Sequence, residues 1–62
     1  MIERGKLYDE KQALCELTLK SRTSIRRLRQ SGELPYVMLH SALRYRGEDL
    51  LKLIERNTRR ER

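Results

Sequence analysis

The sequence predicts a small α+β domain in which two helices joined by a tight turn are followed by a two-stranded β-hairpin and a C-terminal helix. Two observations predict it. Apolar residues recur at helical spacing in three stretches, and a segment of alternating apolar and charged residues lies between the second and the third. With 62 residues, the chain can build one small hydrophobic core.

The first helix is predicted from its start signal. Asp9 followed three residues later by Gln12 has the form of a capping box, which predicts a helix from Glu10 to about Leu17. Residues 1–6 are short and polar and are predicted to be a flexible lead-in. The turn to the next helix is expected at residues 18–20.

The second helix is bounded by Ser21, a preferred N-cap residue, and by Gly32, a preferred C-terminal stop. Ile25 and Leu28 form its narrow apolar stripe. The opposite face carries residues at i, i+3, i+4 and i+7 spacing that can contact one ligand together: Thr23, Arg26, Arg27 and Gln30. Arginine and glutamine donate to base edges, and threonine can touch phosphate or a thymine methyl group. This face therefore suits the major groove of DNA.

The hairpin and the third helix follow Pro35, which ends the helical region. Strands are predicted at residues 36–39 and 43–46, joined by a connection at residues 40–42. Strict alternation in the second strand predicts Leu43 and Tyr45 pointing inward and Arg44 and Arg46 pointing outward. Helical spacing of apolar residues after Gly47 predicts the third helix, ending near residue 57. The domain therefore spans residues 7–57, and residues 58–62 form a mostly basic tail.

The charge is concentrated in the middle of the chain. The formal net charge is +6, and residues 20–46 carry seven basic side chains but one acidic side chain. This distribution favours a polyanionic partner. With a single cysteine and no apolar run long enough for a signal peptide or a membrane span, we expect a cytoplasmic protein without a membrane partner.

The sequence contains no recognisable set of catalytic or metal-binding residues. A lone histidine and a lone cysteine do not make a zinc site, and Cys15 is interpreted as a small, half-buried helix residue. There is no Ser-His-Asp set and no glycine-rich phosphate loop. We expect a protein that is not an enzyme and that needs no cofactor or metal.

The stretch from Ser21 to Pro35, above all the run SGELP at residues 31–35, resembles the recognition-helix end of excisionase-type, MerR-like winged-helix domains, whose usual form there is S-R-x-T-V-x-R-L-I-x-S-G-E-L-P. The resemblance covers roughly residues 7–54. It implies a winged helix-turn-helix with the second helix in the major groove and the hairpin wing on the adjacent minor groove or backbone. The predicted site residues are Ser21, Arg22, Thr23, Arg26, Arg27 and Gln30 in the recognition helix and His40, Arg44 and Arg46 in the wing.

The same resemblance implies a function on double-stranded DNA. The expected protein is a recombination directionality factor of a mobile genetic element, nucleoid-associated and of prokaryotic or phage origin. It would bind repeats at an attachment site, bend the DNA and help a cognate integrase to excise. We expect a monomer in solution that associates cooperatively with itself on DNA. A small winged-helix transcriptional regulator and an interaction module for an acidic protein partner are the alternatives.

Overall fold

Residues 1–60, the part of the chain that this computed structural model describes, fold into three helices and a three-stranded antiparallel sheet. In chain order the elements are β1 (Leu7–Tyr8), α1 (Glu10–Glu16), α2 (Arg22–Gln30), β2 (Val37–Leu39), β3 (Ala42–Arg46) and α3 (Gly47–Arg56). The predicted α+β winged helix-turn-helix class is confirmed, with α1 and α2 as the helix pair and the β2–β3 hairpin as the wing.

The capping box predicted for the first helix and the glycine stop predicted for the second are confirmed. The Asp9 carboxylate accepts from the Gln12 backbone N–H at 2.7 Å, and the Asp9 backbone N–H donates to the Gln12 side chain at 3.0 Å. These two bonds complete the capping box, because each satisfies a donor that has no partner within the helix. At the end of α2, Gly32 has a φ of +84°, a conformation that glycine adopts without steric cost.

The sheet has one strand more than the predicted hairpin. Its order is β1-β3-β2, so β3 is central and pairs with β1 as well as with β2. Leu7 lies opposite Arg46, and Tyr8 lies opposite Tyr45. The sequence analysis predicted no strand before the first helix and therefore missed this pairing.

The wing turns through two residues rather than the predicted three. Leu39 pairs with Ala42, which leaves His40 and Ser41 as the connection. Their φ angles are +48° and +68°, as a two-residue type I′ turn requires at both central positions. Glycine and asparagine are the residues that favour this conformation, so the turn is strained in its present sequence.

Every element except β2 supplies part of the core. The buried hydrophobic side chains are Tyr8, Ala13, Ile25, Leu34, Tyr45, Leu50 and Leu53. Leu43 is half-buried against this cluster, and Tyr45 is fully buried, so both point inward as predicted. Cys15, in contrast, is exposed, and its half-buried interpretation was wrong.

The N-terminal segment crosses the start of α3. The Gly47 N–H donates to the Lys6 carbonyl at 2.8 Å, and the Lys6 N–H donates to the Glu3 carbonyl at 3.2 Å. The Glu3 N–H donates to the Tyr8 hydroxyl at 2.8 Å, and Ile2 packs against the core. Residues 1–6 therefore have defined partners in the fold, while their predicted flexibility stays a prediction.

The chain beyond α3 is short. Residues 58–60 are exposed, and the Thr58 hydroxyl donates to the Ile54 carbonyl at 2.7 Å. The rest of the predicted basic tail, residues 61–62, lies outside the described residues. Among the helices of residues 1–60, none combines the length and apolar character needed to cross a bilayer.

Candidate nucleic-acid interface

The start of α2 is organised by Ser21. Its backbone is extended, and its hydroxyl oxygen accepts from the Thr23 backbone N–H at 3.2 Å, so Ser21 is the predicted N-cap. Accepting this bond leaves the hydroxyl hydrogen free to donate to a phosphate. The capping role and the predicted DNA contact of Ser21 are therefore compatible.

The predicted recognition face of α2 is solvent-exposed along its whole length. Its four side chains, Thr23, Arg26, Arg27 and Gln30, are all exposed, and so is the neighbouring predicted site residue Arg22. On the other side of the helix, Ile25 is fully buried and Leu28 is half-buried. Within residues 1–60, no carboxylate forms a salt bridge with the arginines of this face. The face therefore presents unneutralised guanidinium groups beside one amide and one hydroxyl.

Arg29 joins the recognition helix to the wing, a contact that the sequence interpretation missed. Its guanidinium donates to the Tyr45 hydroxyl at 3.2 Å and lies 5.7 Å from the centre of the Tyr36 ring. Tyr45 lies in β3, and Tyr36 directly precedes β2, so the half-buried Arg29 contacts the hairpin near its base. These contacts connect α2 directly to the wing.

The three predicted wing residues lie in different surroundings. His40 is exposed at the turn, the part of the hairpin farthest from its base. Arg44 is half-buried and donates to the Leu43 carbonyl at 2.8 Å. Arg46 ends β3, about 13 Å along the strand from Ala42 at a rise of about 3.3 Å per residue. The structure thus separates Arg46 from the turn by the length of the strand.

Arg46 has a partner inside the protein. Its Nε donates to Asp49 Oδ2 at 2.8 Å, and its Nη2 donates to Asp49 Oδ1 at 3.2 Å. The Asp49 side chain is buried in the first turn of α3, so Arg46 supplies the counter-charge for a carboxylate that is largely removed from water. The hydrogen bonds and charge of Asp49 raise the pKa of Arg46 above its ordinary value. Arg46 therefore has a structural role, and its phosphate contact stays a prediction.

This surface presents hydrogen-bond donors that suit an anionic ligand with hydrogen-bond acceptors. Guanidinium groups bind phosphates and guanine edges, and the Gln30 amide can pair with adenine. Among residues 1–60 there is no cluster of three potential metal ligands, so this part of the chain provides no metal site of that kind.

A helix pair with a wing and an exposed cationic second helix defines a DNA-binding domain of the helix-turn-helix class. The helix-turn-helix domain family matches residues 12–58, most of the chain, and the protein belongs to this family. Membership supports sequence-specific binding to DNA. Comparison with curated proteins and with solved structures gave no match.

Proposed function

We propose that this protein is an excisionase with a MerR-like winged helix-turn-helix, acting as a recombination directionality factor. It binds repeated sites beside an attachment site, bends the DNA and favours excision by a cognate integrase. The observation that carries the proposal is the exposed, unneutralised face of α2 in a chain of the helix-turn-helix family. The resemblance of residues 21–35 to excisionase-type domains supports the narrower assignment.

In this proposal, α2 enters the major groove while the wing contacts the neighbouring minor groove or backbone. The α2 face supplies the reading groups, and Arg44 supplies a charge on the wing. A single module of this size contacts few base pairs and discriminates its site poorly. Tandem repeats and cooperative loading of monomers raise the effective concentration of each neighbour. The protein itself performs no chemistry in this role and acts in the cytoplasm on the DNA of a mobile element.

The DNA-reading part of the proposal is tested by substitutions on α2. We expect Arg26→Ala and Arg27→Ala each to weaken binding to the specific site by about 1–3 kcal/mol and to relax base preference, because each removes a bidentate donor. Lys11→Ala is the matched control, because Lys11 is also a basic, exposed helix residue but lies on α1. The specific site is first selected from random duplexes by the wild-type protein. Unchanged footprints and base preference in both arginine variants would remove α2 from recognition.

The excision role needs a separate experiment. A plasmid carrying the two recombined ends of the element is incubated with its integrase, with and without this protein. We expect excision to depend on the wild-type protein and to fall in the Arg26 and Arg27 variants but not in Lys11→Ala. If excision is independent of the protein while a promoter bearing the selected site is repressed, the transcriptional-regulator alternative is correct. Salt-insensitive binding to duplex DNA would instead favour an acidic protein partner.

A further inference from the structure

Two exposed apolar side chains lie directly before the turn of the wing. Met38 is 54% exposed and Leu39 is 45% exposed, although both belong to the short edge strand β2. Edge strands in soluble proteins commonly carry charge, because an exposed apolar edge invites unwanted pairing. Met38 and Leu39 therefore leave this edge of the wing without the charged side chains that commonly protect an edge strand.

The register places these two side chains on opposite faces of the hairpin. Met38 lies opposite Leu43, whose side of the sheet faces the core. Leu39 lies opposite Ala42, on the outer face that also carries Arg44. Because Ala42 has only a methyl group, no large neighbour flanks Leu39 across the strand pair. The end of the wing is therefore a narrow element with an apolar side chain on each face.

The charges near the turn indicate which kind of partner this part of the wing contacts. No acidic residue occurs from Leu34 to Gly47, whereas Arg44 shares the outer face with Leu39. A second copy of the wing would bring like charges together, and a basic protein would be repelled. A polyanion that also offers apolar surface satisfies both features, and duplex DNA has stacked bases between its phosphates. Arg44 can pair with a phosphate while Leu39 reaches past it.

We propose that Met38 and Leu39 form a wedge that enters the minor groove, partially unstacks a base step and bends the duplex. Apolar side chains inserted in this way kink DNA in several minor-groove-binding proteins. The proposal rests on the DNA-binding function inferred above and assigns the bend to the wing. Leu39, which directly precedes the turn, inserts at the step, and Met38 contacts the sugar wall of the groove. The cationic face of α2 provides affinity for the DNA, and the wedge bends the duplex.

The test separates curvature from binding. Leu39→Thr and Met38→Thr remove the apolar side chains but keep residues that favour strands. Leu7→Thr is the matched control, because Leu7 is 41% exposed and lies on the same outer face but on the opposite edge strand. The probe is a duplex of about 40 base pairs, selected from random sequences by the wild-type protein and labelled at both ends for energy transfer. A second duplex carries 2-aminopurine at successive steps of the minor-groove contact.

With wild-type protein and with Leu7→Thr, we expect a shortened end-to-end distance and an increase in 2-aminopurine fluorescence of at least twofold at one step. In Leu39→Thr the fluorescence increase is lost and the bend falls by at least half. In Met38→Thr the bend falls by a smaller amount. The dependence of affinity on salt stays unchanged in both variants, because no phosphate contact is removed. Circular dichroism melting checks that both variants fold like the control.

Different results would contradict different parts of the proposal. Bending and fluorescence that are the same in Leu39→Thr as in wild type overturn the wedge and leave DNA binding intact. A wild-type protein that binds DNA without bending it or unstacking a base also overturns the wedge. Failure of the wild-type protein to select any duplex overturns the DNA-binding function itself.

Discussion

Gly47→Ala sets two effects of opposite sign against each other. Alanine is favoured over glycine by about 1 kcal/mol in a helix interior, and by at most this amount at Gly47, the first residue of α3, so helix propensity alone predicts stabilisation. However, a Cβ at Gly47 would lie 1.8 Å from the carbonyl oxygen and 2.7 Å from the carbonyl carbon of Glu3, which is backbone and cannot rotate away. The N-terminal segment must therefore leave the start of α3.

The cost follows from the bonds of that segment. Its release breaks three hydrogen bonds, made by the backbone N–H groups of Glu3, Lys6 and Gly47. At about 1 kcal/mol net for each bond, the loss outweighs the gain in propensity and leaves a destabilisation of about 2 kcal/mol. A domain of this size has a total stability of about 3–9 kcal/mol. The melting temperature should fall by about 10 °C.

Urea unfolding followed by circular dichroism measures this change. Glu55→Ala, an exposed position on the same helix, is the control for propensity. The decisive comparison repeats Gly47→Ala in a chain that lacks residues 1–4, where the backbone of Glu3 is absent. There the substitution should be neutral or stabilising by up to about 1 kcal/mol. Equal destabilisation in both chains, or stabilisation in the full chain, would refute the steric reasoning.

Three further predictions concern the wing and its connections. Ser41→Gly should raise stability by up to about 1 kcal/mol in thermal melting, because glycine adopts the positive φ of the turn without strain; a lower melting temperature would contradict this. Arg46→Ala should destabilise the fold, because it leaves the buried carboxylate of Asp49 without its partner, and Asp49→Asn introduced beside it should recover part of the loss in urea unfolding. Arg29→Met and Tyr45→Phe each remove the hydrogen bond between helix and wing. Their effects on stability and on DNA affinity should therefore be less than additive in a double-mutant cycle, whereas full additivity would mean that the two side chains are not coupled.

Features specified by neighbouring residues could be predicted from the sequence. The capping box at Asp9, the N-cap at Ser21 and the stop at Gly32 depend on a few consecutive positions, and each was confirmed. Alternation likewise predicted which side chains of the second hairpin strand point inward. Helical spacing alone also grouped Thr23, Arg26, Arg27 and Gln30, which are all exposed on one face of α2.

Features that depend on distant partners could not be predicted in this way. Strand β1 has two residues, which is too short for a periodic signal, and its partner strand lies near the other end of the chain. The role of Arg29 depends on tyrosines that only the folded chain brings close. The ion pair of Arg46 was overlooked although its partner is close in sequence. Alternation placed this exposed side chain outward, and the i, i+3 spacing to Asp49 was the signal that indicated an ion pair.

The pairing of β1 with β3 affects when the protein can fold during its synthesis. Tyr8 gains its strand partner only after Tyr45 has been synthesised, and α3, which completes the core, follows later still. A nascent or prematurely ended chain therefore carries the helix pair without the strand and helix that cover it, and cellular proteases degrade such exposed chains. Closing so long a loop also contributes to the folding barrier, since its entropy is lost before the contacts form. The abundance of the protein should consequently depend on completed translation more strongly than the local stability of its helices suggests.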